Sequence, residues 1–196
     1  MIFSGIDFLK KIGNLQMLGA LLLTTVLPPM LAAQDSGSDH LDTGAQKMMK
    51  PGDAAFALKA AQGGIAEVKL GQLALKRASH SDVRTFGQRM VDDHSKANER
   101  LKAAAAKGGM TLPATMNAND QALYDKLSHL SGAAFDRAYT RAMVKDHEED
   151  IKEFQREAAN GTNSDIRAFA EAALPILQEH LEMAKSAERK ASAGGS

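Results

Sequence analysis

The chain has 196 residues, with 24 basic and 24 acidic side chains, 5% aromatics and no cysteine. That length supports one domain with a real core. The even charge balance gives no electrostatic reason to bind nucleic acid, and the absence of thiols excludes thiolate chemistry and disulfide staples.

Residues 1–33 read as a secretory signal peptide. Lys10 and Lys11 form a basic n-region, Leu15 to Leu27 is an uncharged apolar run, and Leu31-Ala32-Ala33 offers small residues at a cleavage point. The run is shorter than the roughly 20 residues that span a bilayer, and Pro28-Pro29 stops a helix there. Cleavage after Ala33 predicts an exported protein of the periplasm or cell envelope. Residues 1–33 carry Lys10, Lys11 and Asp7, so 22 basic and 23 acidic residues remain beyond them. Such a surface favours neither nucleic acid nor anionic lipid. An envelope protein or a second copy of the chain is left as the partner class.

Residues 34–52 are polar, contain Gly and Ser, and show no periodicity, which predicts a flexible leader. A helical bundle is expected over residues 53–190, with Asp53 as the first N-cap and residues 191–196 as a disordered tail. The first helix runs from about Ala54 to Ala78, with Phe56, Ala60, Gly63, Glu67, Leu70 and Ala74 on one face. Gly63, Gly64 and Gly71 lower its helicity and allow close approach of a neighbour. Ser79 to Asp82 connects it to a second helix ending near Lys107, with the stripe Phe86, Met90, His94, Ala97, Leu101 and Ala105. So short a link makes the two antiparallel.

Residues 108–118 form a loop, and Asn119 to Leu130 a short helix, together long enough for a crossover. A third long helix spans about Ala133 to Ala159, with Phe135, Tyr139, Met143, His147, Ile151, Phe154 and Ala158 on its stripe. Asn160-Gly161 ends it, and a fourth long helix starts near Ser164, carrying Ile166, Phe169, Ala173, Leu177, His180, Ala184 and Ala187. Pro175 is expected to bend that helix. The pattern predicts an all-α, ferritin-like four-helix bundle with a short extra crossover helix; a simple up-down-up-down bundle is the alternative.

An internal echo marks the candidate site. Met90-Val91-Asp92-Asp93-His94 matches Met143-Val144-Lys145-Asp146-His147, each with an aromatic four residues before the Met. A histidine on an apolar stripe needs partners for its ring nitrogens. Glu67 and His180 occupy similar places on the first and last helices. Counted from the hairpin turns, Glu67 and His94 are nearly level, while His180 is offset from His147 by about one turn, roughly 5 Å. One polar group per helix at similar depth suggests a metal site of Glu67, His94, His147 and His180. The bland alternative is a hydrogen-bonded structural cluster, and the Glu-x-x-His signature of di-iron bundles is absent, since Val91, Val144 and Leu177 stand three residues before the histidines. Asp93 and Asp146 read as solvated or as supports for their neighbouring histidines, and His40, His80 and His129 receive no role.

The chain resembles the exported bacterial family called domain of unknown function 4142. The segments that carry the resemblance include Gly63-Gly64 with Ala66-Glu67-Val68 and Leu70-Gly71, Phe86 with Met90 to His94 and Ala97-Asn98, and Leu112-Pro113. Gly132 to Tyr139, Met143 with Asp146-His147, and Leu174-Pro175 with His180-Leu181 complete them, over about residues 53–187. The resemblance implies a ferritin-like fold and an envelope location. The family's histidine positions fall on His94, His147 and His180, and the family brings no established activity.

No nucleophile–base pair, phosphate loop or paired-carboxylate motif is present in the sequence, so an enzyme is not the expectation. Two readings follow. One is a periplasmic bundle that binds or buffers iron, manganese, zinc or copper in a stress-protective or metal-buffering role, with Met90 and Met143 as candidate soft ligands for copper(I). The other is a metal-free structural or interaction bundle of the envelope.

Overall fold

The computed structural model describes residues 49–193, so the expected signal peptide and most of the leader lie outside the described residues. Those residues form five helices and no strand: α1 (Pro51–Arg77), α2 (Ser81–Lys107), α3 (Ala118–Ser128), α4 (Gly132–Asn160) and α5 (Ser164–Ala193). None is long and apolar enough to cross a membrane.

Local chemistry sets the ends. Pro51 opens α1, where its missing N–H costs nothing. His80, which had no expected role, caps α2 by accepting from the Asp82 N–H at 3.2 Å. Gly109 adopts φ +72° after α2, and the N–H groups of Met110 and Gly109 close on the carbonyls of Ala105 and Ala106. That is a glycine-terminated helix end whose last carbonyls are satisfied. Asn117 caps α3 through the Asp120 N–H at 3.0 Å. His129 lies at the end of α3, exposed. The helix α5 continues through Pro175 to Ala193, and Ala191 packs in the core, so the expected tail is helical up to there. Pro175 and Glu171, whose carbonyl loses its usual donor, are both exposed, which leaves that carbonyl to water.

The α1–α2 and α4–α5 hairpins are closed by a matching pair of buried aspartates. Asp53, expected as an N-cap, lies inside α1 and instead holds the opposite turn. Its carboxylate accepts from the Thr162 N–H (2.9 Å), the Thr162 hydroxyl (2.5 Å) and the Asn163 N–H (3.0 Å). Asp136 near the start of α4 does the same for the other turn, accepting from the Ser79 N–H (3.1 Å), the Ser79 hydroxyl (2.5 Å) and the His80 N–H (2.9 Å). Burial opposes the charge on Asp53, but the Thr162 and Asn163 donors outweigh it and hold the carboxyl below its ordinary range.

These bonds also fix the topology. Asp53 brings the start of α1 to the end of α4, and Asp136 brings the start of α4 to the end of α1. Helices α1 and α4 are therefore antiparallel, α2 and α4 parallel, and residues 108–131 must carry the chain the full length of the bundle. That connection is ferritin-like and excludes the simple up-down-up-down order. In the packing, α1 lies against α2 and α4, α2 against α5, and α3 against α1 and α4.

The α1 and α2 backbones touch at two glycines: a Cβ on Gly71 would meet the Gly87 carbonyl oxygen at 2.6 Å. Gly63 has no such neighbour, contrary to the expectation of close approach there. The first turns of the α1 stripe are rotated by one residue, with Ala57, Ala61 and Gly64 buried and Phe56, Ala60 and Gly63 only half-buried. The core falls into apolar clusters. One holds Leu70, Phe86, Met90, Phe135, Tyr139 and Met143, and another Phe154, Ala170 and Leu177. The residues between them are polar.

Asp136→Ala leaves three turn donors without their acceptor and is expected to cost about 2–4 kcal/mol in urea unfolding, with Asp53→Ala alike. Losses under about 0.5 kcal/mol at both would show that the aspartates do not hold the turns.

Candidate metal centre

The polar layer consists of Glu67 from α1, His94 from α2, His147 from α4 and His180 from α5, all buried; His147 and His180 are 0% exposed. Each continues an apolar stripe: Met90 precedes His94 by one turn, Met143 precedes His147, and Leu177 lies beside His180. The three rings meet with centroids 5.1 Å (His94–His180), 5.5 Å (His147–His180) and 5.9 Å (His94–His147) apart. Phe86 forms the floor, its ring edge-on to His147 and His180 at 6.4 and 6.3 Å. The one-turn offset expected for His180 is absent. Although it lies three residues farther from its turn than His147, side chains lean toward their own helix N-terminus. On antiparallel helices His147 therefore leans away from the turn and His180 toward it, which closes the gap.

Each ring has one nitrogen held and one free. The Nδ1–H of His147 donates to the Met143 carbonyl at 3.0 Å, and the Nε2–H of His180 donates to Asp93 Oδ2 at 3.0 Å. Arg89 Nε holds the same oxygen at 2.5 Å. His94 Nδ1 faces Glu67 Oε2 at 2.8 Å. The opposite nitrogens, Nε2 of His94, Nε2 of His147 and Nδ1 of His180, are buried with no hydrogen-bond partner. The three histidines offer ligand atoms within 4.8 Å of one another. Two ligands of one zinc ion lie about 3.3 Å apart, so small ring movements would complete a site.

The electrostatics keep these rings neutral, the state that binds metal. Burial lowers His94 to about 4 and His147 to about 3, with His94 and His180 adding at His147. Burial also lowers His180, against the opposing pull of Asp93. Burial first, and Asp120 second, raise Glu67 to about 8. A buried ring nitrogen left unpaired costs about 1–3 kcal/mol, and three together are an expensive arrangement for packing alone.

All four expected residues thus converge, with Glu67 placed to hold His94 and face His147 Nε2 from 3.7 Å. Met90 and Met143 are wholly buried in the apolar cluster below. Asp93 supports His180 on α5, not the His94 that follows it in sequence. Two carboxylates near Glu67 escaped the sequence reading: Asp150 and Asp120. The spacing of Asp146 and Asp150, four apart on α4, was the available signal. His40 lies outside the described residues.

Hairpin, crossover and hairpin around a buried polar layer define an all-α bundle of ferritin-like connectivity. The chain belongs to the family described as domain of unknown function (DUF4142), whose model matches residues 39–187. Among solved structures it is similar to the crystal structure of a DUF305 fragment from Deinococcus radiodurans. The TM-score is 0.64 at 12% identity, covering 73% of this chain and 99% of that one. This likeness bears on the fold alone. No curated protein matches the chain.

The unpaired nitrogen of His147 gives a direct test of whether the layer sacrifices stability. In metal-free protein His147→Leu removes it at similar volume and is expected to leave thermal stability unchanged or raise it, by about 1–3 kcal/mol. A loss above about 1 kcal/mol would show that the ring is a satisfied structural group.

Proposed function

We propose that the mature chain is an exported envelope protein that binds one transition-metal ion on His94, His147 and His180 and serves to hold or buffer it, in metal homeostasis or stress protection. The observation that carries this reading is the pairing of nitrogens: three buried rings from three helices, each with one nitrogen anchored and the other buried and unpaired, and with ligand atoms of the three within 4.8 Å of one another. Metal-binding histidines are oriented in this way, by a carboxylate or carbonyl on the far nitrogen. Asp93, the Met143 carbonyl and Glu67 are the anchors here, and Glu67 is also within reach as an oxygen ligand. The basic n-region, apolar run and small residues of positions 1–33 support export.

Binding is favoured over turnover. The cavity beside His94 and His180 measures about 40 Å³, room for a water-sized ligand on the ion and none for an organic substrate. Three imidazoles suit zinc, copper(II) and iron(II) better than manganese. Copper(I) would draw on Met90 and Met143, each one helical turn from its histidine.

Zinc, copper, iron(II) and manganese added separately to purified protein test this. The preferred metal, bound at one equivalent and present free in excess at about 100 times its dissociation constant, stabilises by about 2.7 kcal/mol, a rise of roughly 5–10 °C in melting temperature. His94→Ala and His147→Ala are each expected to abolish the rise, and the double variant to lose little more, because one site is destroyed twice. If no metal shifts melting, the layer is structural and the chain acts through a partner.

A further inference from the structure

The cavity beside His94 and His180 backs onto a groove of about 410 Å³ between α2 and α5. The groove is open to solvent at Lys96, Arg100, Ala168 and Ala172, all exposed. Five residues line both spaces: Asp93, Ala97, Phe169, Ala173 and Ile176. The wall between them is therefore one side chain thick, and at Ala97 and Ala173 that side chain is a methyl group. Asp93 is the one polar member of the wall. Its Oδ2 lies 3.0 Å from the His180 ring, and its side chain is 14% exposed. The charges along the groove are unbalanced. Asp93 is bound to Arg89 and His180, and Asp165 to Lys107. Lys96 and Arg100, one turn apart on α2, make no ion pair among the described residues.

We propose, on the metal reading given above, that this groove delivers the metal to the three histidines, and that it takes the ion as an anionic carboxylate chelate held by Lys96 and Arg100. Two unpaired cations at the mouth repel a bare divalent ion. They match the carboxylates of a chelate, for which the guanidinium offers a planar fork. The groove has room for a carrier with several carboxylates. The inner cavity, at about 40 Å³, admits the ion and a water but not the carrier. The ion therefore changes ligands at the wall. Imidazole nitrogens replace the carrier's carboxylates, the oxidation state of the metal is unchanged, and the carrier leaves as the free anion. Asp93, lining both spaces, stands where that exchange begins.

The test uses cobalt(II), whose visible absorption reports its arrival on nitrogen ligands. It is mixed with the full chain by stopped flow, once as the aqua ion and once as its citrate complex. Joint substitution Lys96→Ala and Arg100→Ala is expected to slow loading from the citrate complex at least about fivefold at low ionic strength, and less at high salt. Loading from the aqua ion is expected to stay within about twofold or to accelerate, with equilibrium affinity for cobalt unchanged. Both residues are exposed, so the melting temperature should match wild type. Ala173→Leu thickens the wall and is expected to slow loading from both forms, while Lys145→Ala, on the exposed face of α4, changes neither. Unchanged citrate loading in the joint variant, equal slowing with the aqua ion, or rates indifferent to Ala173→Leu would overturn the proposal. Wild type that takes up no cobalt at equilibrium overturns the histidine centre and this delivery route with it. Uptake at rates that none of the variants alters overturns the delivery route alone.

Discussion

An imidazole buried in a helical bundle brings two nitrogens into a place where only one is easily satisfied. The backbone of the bundle is already committed to its own hydrogen bonds, so a ring must find a side chain, one spare carbonyl lone pair or something that is not protein. Here the first two supply one partner per ring, Glu67 for His94, the Met143 carbonyl for His147 and Asp93 for His180. The remaining nitrogens are buried without a partner, in rings whose ligand atoms lie within 4.8 Å of one another. Much else in the molecule holds that layer in place: Phe86 as its floor, apolar clusters on both sides, and α3 over the flank where the carboxylates gather.

Depth matching across four helices depends on the register of two hairpins, and two buried aspartates set it. Asp53 and Asp136 each grip the turn of the other hairpin with three bonds. The arrangement has an approximate two-fold character that echoes the repeated Met-Val-x-Asp-His of α2 and α4. A slip of one helical turn in either hairpin would move a ring by about 5 Å and dismantle the layer, so the turn contacts at both ends position the site although they lie far from it.

Much of this was legible in the sequence. Strong 3.6-residue periodicity located the long helices, and short capped links fixed the hairpins. Polar groups standing alone on apolar stripes named Glu67, His94, His147 and His180. What escaped has physical causes. Asp53 looked like an N-cap because an aspartate after Pro-Gly fits that role locally, while its real partners, Thr162 and Asn163, are over a hundred residues away. The direction of the crossover depended on the same long-range bonds. The supposed offset of His180 came from counting Cα positions, which ignores the opposite lean of side chains on antiparallel helices. Asp150 and Asp120 carry no local signal in the sequence; Asp120 reaches the flank of the layer only because α3 packs against α1 and α4.

The ends of the bundle are held by fully bonded aspartates, and its middle buries ring nitrogens without partners; on the proposed reading that middle trades stability for a preorganised site. X-ray absorption at the metal edge of zinc-loaded protein is the most direct test of that conclusion. Three imidazole nitrogens at about 2.0–2.1 Å, with the imidazole signal lost in His147→Leu, is the expected result. A zinc shell made only of oxygens, or an imidazole signal unchanged by His147→Leu, would contradict it.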